Sequence, residues 1–303
     1  MASEYMGLGA ADVSVIVVSY NTCDQTMRCL GSLPAAVEVI VVDNASSDGS
    51  SSMVETELPH AKLISNAENR GFGAANNQGL DLSTRSLVLF LNSDAWALEP
   101  DSIDRLTAVF HDEGVVAAGG RLQNPDGSIQ NSSAGRLTLW AVFCEQTLLE
   151  RFSKPYWNTS RLARLQQPSE TEQVMGACLM MRKLERFDER FFLYCEDTDL
   201  CARLRRHGRI LFVPEAAFGH ELGASSVGEN RWKSVARYNR GKELYFSIHV
   251  GRFAAMICFC LDRLGALGRL VVFGIGGIAK ASWRPKAKLF LRVLRAPIAG
   301  PPK

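Results

Sequence analysis

The sequence predicts an α/β fold: a doubly wound, Rossmann-like, mostly parallel sheet flanked by helices. Two observations predict it. Short β-branched runs such as "VSVIVVSY" and "VEVIVVD" are apolar throughout, as strands buried on both faces must be. These runs alternate with helix-length stretches, and each run ends in polar residues, the pattern of strand–helix–strand units. In such sheets ligands gather beyond the carboxyl ends of the strands.

The elements follow in order. The first strand, residues 13–20, ends at the polar turn "NTCD", and a helix over about 25–33 stops at Pro34. A second strand, 37–42, runs into a polar loop that starts at Asp43. "AKLISN" is a third strand, 71–82 is helical, and "SLVLFLNSDA" is a fourth strand that ends at Asn92, Ser93 and Asp94. Asp43, Asn69 and Asp94 should therefore converge on one crevice. A helix over 101–111 and the strand "VVAAGGRL" come next; residues 123–171 then lose periodicity, as long binding loops do. "EQVMGACLMMR" and "ILFVP" restore strands.

From about residue 229 the chain becomes basic and aromatic, then apolar but broken by Asp262, Arg263, Arg269 and glycines. A spanning helix needs about 20 clean apolar residues. The expectation is a domain over 12–228 and an extension over 229–303. The extension's amphipathic helices would lie on a membrane surface, basic residues toward the head groups. Helices packed as a lid or as a homo-oligomer interface are the competing reading.

Composition bounds the function. The 303 residues carry 34 basic and 32 acidic side chains, a net charge of +2. That balance excludes a general nucleic-acid binder. The eight cysteines form no C-x-x-C pair, so zinc-ribbon spacing is absent. "MASEYMGLGAADV" has neither a basic nor an apolar leader region; a cytoplasmic chain with reduced cysteines is expected.

Three motifs carry chemistry. In "VVDNASSDGS" Asp43 can accept hydrogen bonds from a base or ribose, although these residue types also favour plain turns. In "LFLNSDA" the oxygens of Asn92 and Asp94 can share a hard cation, or can simply cap a helix. "FFLYCEDTDLCARL" places Glu196, Asp197 and Asp199 within four residues. Acidic residues in a first helical turn suit the macrodipole, and Asp199–Arg203 is a supportive pair four residues apart. Three carboxylates exceed that need, and crowding raises a carboxylate pKa toward that of a general base. His220, in "FGHELG", could complete a metal site with Asp94 or be structural.

The ordered set "YN", "VVDNASSDGS", "NRGFGAANNQG", "LFLNSDA", "GACLMMR", "FDERFFLYCEDTDLCARLRRHG", "VPEAAFGH" and "GASS" resembles the family 2 glycosyltransferases of the GT-A fold, most of all their bacterial rhamnosyltransferase-type branch. The resemblance runs from Val13 to Ser226. It implies that Asp43 holds the nucleotide base and that Asp94, helped by His220, binds Mg2+ or Mn2+ with the donor diphosphate. It makes Glu196 and Asp197 the catalytic pair, Asp197 the base, and Tyr20, Asn21, Asn69, Gly71, Asn76, Asn92, Asp199 and Arg203 substrate-binding residues. The implied reaction is inverting transfer from a nucleoside diphosphate-sugar, dTDP-rhamnose or a UDP-sugar, to a saccharide or lipid-linked acceptor for cell-surface polysaccharide. The chain would be peripheral on the inner face of the cell membrane. Two departures stand out: Asn92-Ser93-Asp94 offers one carboxylate where the family has a D-x-D-like pair, and "KLER" is a short link before "FDERF". A nucleotidyltransferase and an inactive nucleotide-sugar-binding module are the alternatives; "YNTCDQTM" lacks the Gly-rich, basic triphosphate loop that the former needs.

Overall fold

The computed structural model describes residues 8–147, 149, 156–221 and 231–296. The first half alternates as the sequence predicts: β1 (Val13–Ser19), α1 (Cys23–Gly31), β2 (Glu38–Asp43), α2 (Ser50–Glu57), β3 (Lys62–Ser65), α3 (Phe72–Leu82), β4 (Leu87–Asn92), β5 (Ala95–Ala97), α4 (Ser102–Ala108) and β6 (Val115–Gln123). Then come β7 (Ser133–Ala134), α5 (Leu139–Thr147), α6 (Thr159–Leu162), β8 (Ser169–Thr171), β9 (Gln173–Val174), β10 (Cys178–Arg182), α7 (Glu196–Leu204) and β11 (Arg209–His220). Three helices follow: α8 (Arg231–His249), α9 (Arg252–Ala279) and α10 (Arg284–Arg295).

The main sheet has the order β3-β2-β1-β4-β10-β6-β11-β5, with β8 beside β11. Pairs β3–β2, β2–β1, β1–β4 and β6–β11 are parallel, while β10 runs antiparallel between β4 and β6. Alternate side chains feed two cores, Val13, Val15 and Val17 on one face and Ile16 on the other. Helix α3 presses close to β1: a Cβ on Gly79 would stand 2.5 Å from Ile16. Register makes the carboxyl ends level, with Ser19 opposite Asp43 and Val18 opposite both Val42 and Asn92. This is the edge where a crevice is expected.

The stretch expected to be irregular holds a helix, α5, whose backbone starts with Ala141 N–H donating to Thr138 Oγ1 at 3.1 Å. Strand β11 extends past "ILFVP" to His220, through a register shift between Val213 and Ala217. Pro214 and Glu215 fall within that shift, where a missing N–H is tolerated.

The chain divides into two compact units. One comprises Met1–Arg136, Trp157–Arg190 and Glu196–Leu222, and holds the sheet; the other comprises Leu137–Tyr156, Phe191–Cys195 and Gly223–Lys303. The expected boundary at 228/229 lies outside the described residues. Within the second unit, α5, α8 and α9 surround Lys242, whose Nζ lies 2.7 Å from Asp262 Oδ1 and 3.0 Å from Glu145 Oε2. Gln146 Nε2 donates to the same Asp262 oxygen at 2.8 Å. Each buried charge is thus compensated, which burial requires.

Candidate active site

The loop after β2 is built around two side chains. Asp43 is buried; its Oδ2 accepts from Ser46 N–H at 3.0 Å. Its Oδ1 is also buried, yet has no hydrogen-bond partner among the described residues. An orphaned buried acceptor costs about 1–3 kcal/mol, so it suits a ligand N–H or O–H donor. Neighbouring Asn44 joins three segments: Nδ2 donates to Asn69 Oδ1 at 2.9 Å, and Oδ1 accepts from Arg70 N–H at 3.0 Å and Asn66 Nδ2 at 3.2 Å. Asn69 Oδ1 also takes Gly71 N–H at 2.9 Å. Gly71 has φ 87°, a left-handed value that glycine adopts freely, and starts α3. Asn69 is therefore a loop-forming residue. Tyr20, 49% exposed, and Asn21 directly follow β1. Asn21 Oδ1 accepts Ser47 N–H at 2.8 Å. Asn76, buried in α3, gives its amide donor to the Phe72 carbonyl at 3.0 Å.

After β4, Asp94 Oδ1 lies 3.2 Å from His220 Nε2, and both side chains are largely buried, at 13% and 6% exposed. Asn92 Nδ2 lies 3.4 Å from the same ring nitrogen. The tautomer follows from Gln130. Its Nε2 donates to His220 O and to Asn124 Oδ1, both at 2.6 Å, so its Oε1 must be the acceptor that faces His220 Nδ1 at 2.8 Å. Nδ1 therefore carries a proton, and Nε2 is turned toward the Asp94 carboxylate, 3.2 Å away. Imidazole plus carboxylate, with the second ring nitrogen held by an amide, is a donor set suited to Mn2+ or a similar ion. Among the described residues no group of three or more His, Cys, Asp or Glu could hold a metal; here the protein offers two such ligands.

Helix α7 begins with Glu196 and Asp197. Asp197 is partly exposed; its Oδ2 accepts Gly176 N–H at 2.9 Å and its Oδ1 accepts Thr198 N–H at 2.7 Å. Desolvation by its crowded surroundings pushes its pKa above the ordinary 3.8, and these hydrogen bonds only partly oppose that. Gly176 is followed by Ala177, whose carbonyl accepts Asn92 N–H at 3.1 Å. Asp197 and the Asn92–Asp94 turn thus share one short stretch of backbone. Glu196 is buried in the same helical turn.

Asp199 and Arg203 are not brought to this crevice, against the expectation that they bind substrate. Asp199 is wholly buried and paired with Arg203 at 2.8 Å. Arg203 continues to Glu185 at 2.6 Å and lines a depression with Leu80, Asp81 and Lys183. That depression adjoins the starts of the strands, because β10 ends at Arg182, opposite Leu87. The helical period explains the split: residues two apart point to different sides of a helix. Sequence reasoning also missed Gln130 and Asn44. Gln130 lay in the aperiodic stretch, and its partner is 90 residues away; Asn44 stood inside a motif that reads as a turn.

Comparison with known proteins gives the framework a family. Residues 14–187 match the family described as Glycosyl transferase family 2. The chain is 28% identical over 258 residues to the N-acetylglucosaminyl-diphospho-decaprenol L-rhamnosyltransferase of Mycobacterium tuberculosis, covering 77% of this chain and 83% of that one. It is 26% identical over 225 residues to the succinoglycan biosynthesis protein ExoO of Rhizobium meliloti, covering 71% of this chain and 62% of the other. Among solved structures, the mannosyltransferase PcManGT from Pyrobaculum calidifontis, in complex with GDP-Man and Mn2+, superposes with a TM-score of 0.54 at 15% identity, covering 96% of this chain and 88% of that one. That likeness is one of fold, the GT-A fold, with helices following the sheet. The family match spans more than half of the chain and takes in Asp43, Asn69 and Asp94: the chain is a glycosyltransferase and belongs to glycosyl transferase family 2.

Proposed function

We propose that this glycosyltransferase works with inversion, moving a hexosyl group from a nucleoside diphosphate-sugar to a hydroxyl of a saccharide or lipid-linked saccharide in cell-surface polysaccharide synthesis. One observation carries the reading. Asp197 is a carboxylate of raised pKa, reachable from solvent, held by the backbone that also holds the Asn92–Asp94 turn. A base needs that combination of access and basicity. In the proposed step Asp197 takes the proton of the acceptor hydroxyl. The oxygen forms its bond to the anomeric carbon from the face opposite the diphosphate, and the bond from that carbon to the leaving oxygen breaks. Asp43 Oδ1 receives a donor hydrogen of the nucleotide base. Asp94 and His220 would hold a divalent cation, Mg2+ or Mn2+, which when bound supplies charge neutralisation of the diphosphate. Gln130 keeps the His220 ring turned for that task.

The names of the relatives support a donor and acceptor class. The M. tuberculosis relative is named for L-rhamnosyl transfer and for an acceptor carrying diphospho-decaprenol; the R. meliloti relative is named for succinoglycan biosynthesis. On that basis dTDP-rhamnose is the first donor to test and UDP-sugars the next. A lipid-linked acceptor places the chain on the inner face of a membrane, held by the helices beyond residue 229. No helix among the described residues is long and apolar enough to cross one. The test is release of nucleoside diphosphate by the purified chain from a panel of nucleotide-sugars, with and without a polyprenyl-diphosphate saccharide. Acceptor-dependent release supports the reading. A chain that binds these donors but turns none over is a binding module, and the reading fails.

A further inference from the structure

Helix α9 has two faces of different kind. Ala254, Cys258, Asp262 and Ala266 are buried on one. On the other, Phe253, Met256, Leu264, Leu267, Ile275 and Ile278 are exposed, from 48% for Leu267 to 82% for Ile278. Their separations of three and eight residues fold onto one side of a 3.6-residue helix. The stripe spans about 37 Å at 1.5 Å per residue. No charge interrupts it, because Asp262 is buried, Arg263 turns to the carbonyls of Val293 and Leu294, and Arg269 turns to Glu145 O. A continuous apolar strip of this length goes beyond the scattered hydrophobics of soluble surfaces and marks an interaction site.

Charge says what covers it. Residues 231–296 hold 14 Lys and Arg against 2 Asp and Glu, whereas the rest of the chain holds 20 against 30. On α10, Arg284, Lys286, Lys288, Arg292 and Arg295 are exposed. A second copy seated on the stripe would bring two strongly basic surfaces together. An anionic bilayer surface offers hydrocarbon for the strip and phosphate for the cations.

We propose that the Phe253–Ile278 stripe of α9 is the membrane-contacting face of this enzyme, lying in the plane of an anionic bilayer surface with α10 supplying contacts to the head groups. This deepens the surface-association reading above, and rests on it, by naming the contact. The largely aliphatic stripe makes it, with Phe253 its one aromatic ring, and other rings of this region pack elsewhere. Tyr245 and Phe246 are buried, and Phe273 stacks on Phe290 and meets Trp283 edge-on.

Flotation of the full chain with vesicles tests the idea. Wild type should float with phosphatidylglycerol-containing vesicles at low salt, and weakly with phosphatidylcholine alone or at high salt. Leu264→Glu with Ile275→Glu replaces exposed side chains, so its melting temperature and circular dichroism should match wild type, while vesicle affinity falls at least tenfold. Lys288→Gln with Arg292→Gln should lose roughly fivefold per residue on anionic vesicles only. Unaltered binding by the Leu264/Ile275 variant overturns the proposal, as does wild type that ignores anionic vesicles at low salt. A wild-type dimer that the same variant dissociates overturns it too, because a second copy then covers the stripe. Donor turnover in vesicle-free solution is scored separately and should be unchanged in the variant. A chain that floats through the stripe but turns over no donor defeats the transfer reading and leaves this one standing.

Discussion

Asp197 and Asp199 stand two residues apart in one helical turn, and their surroundings give them different partners. Asp199 is spent on Arg203, whereas Asp197 meets backbone N–H groups and stays accessible. Asp197→Asn should therefore lower kcat about a hundredfold or more with donor Kd little changed; turnover near wild type would move the base to Glu196. The pH dependence has a definite sign. A raised pKa means that Asp197 binds a proton more readily than a free carboxylate, so the active ionised form is lost as pH falls through that raised value. The acid limb of kcat/KM should lie above 3.8, and Asp197→Asn should abolish it. Gln130 gives a second test. Gln130→Leu frees the His220 ring and should weaken Mn2+ binding about 10–100-fold. Mn2+ titration reads this, and affinity near wild type would deny Gln130 its orienting role. The places of Asp43, Asp94 and Asp197 in the fold were legible because each follows a strong local signal, a strand end or an acidic helix start. Gln130 was not, since its role arises only when the chain brings it to His220.

At the scale of elements, strands β1, β2 and β4 were legible because continuous apolar runs leave little choice. Helix α5 was hidden because "LWAVFCEQT" is apolar on several sides and is capped by a single Thr138. Strand β11 was cut short in the reading because Pro214 suggests an end where the structure makes a bulge. Two elements carry predictions of stability. Glu38, on β2, accepts from Ser14 Oγ, from Lys62 Nζ at 2.6 Å and from Thr84 N–H at 2.8 Å. Burial alone would raise its pKa, but these bonds outweigh burial and bring it down to about 2. A depressed carboxylate stabilises the fold above its unfolded pKa, and that share disappears as pH falls from about 4.5 toward 2. Glu38→Gln should cost about 1–2 kcal/mol at neutral pH, allowing for the solvent-exposed Lys62, and should flatten the acid limb of a denaturation series. Lys242→Met leaves Asp262 and Glu145 without their shared cation and should cost about 3–5 kcal/mol in urea unfolding. A loss under 1 kcal/mol would mean that water reaches the pair.

Across the whole molecule, the net charge of +2 concealed a basic helical region balanced by an acidic remainder, which a single total cannot show. The sheet edge likewise joins groups that no one motif contains: an acceptor at Asp43 and the proposed cation ligands Asp94 and His220. If both engage one donor, ligand and ion should stabilise the chain together. A ligand that binds only the folded state adds RT ln(1 + [L]/Kd), about 2.7 kcal/mol at a hundredfold excess over Kd. Thermal unfolding with nucleoside diphosphate and Mn2+ should therefore rise by several degrees, and EDTA should remove most of that gain. Asp94→Ala should abolish the part that depends on Mn2+ and keep the smaller shift from nucleotide alone. Asp43→Ala should reduce the shift from nucleotide whether or not Mn2+ is present. EDTA should also stop transfer, since a hard cation is held chiefly by carboxylate and phosphate oxygens. Full activity and an unchanged shift in EDTA would hand charge neutralisation to basic side chains. Asp94 and His220 would then be a structural pair joined by a proton.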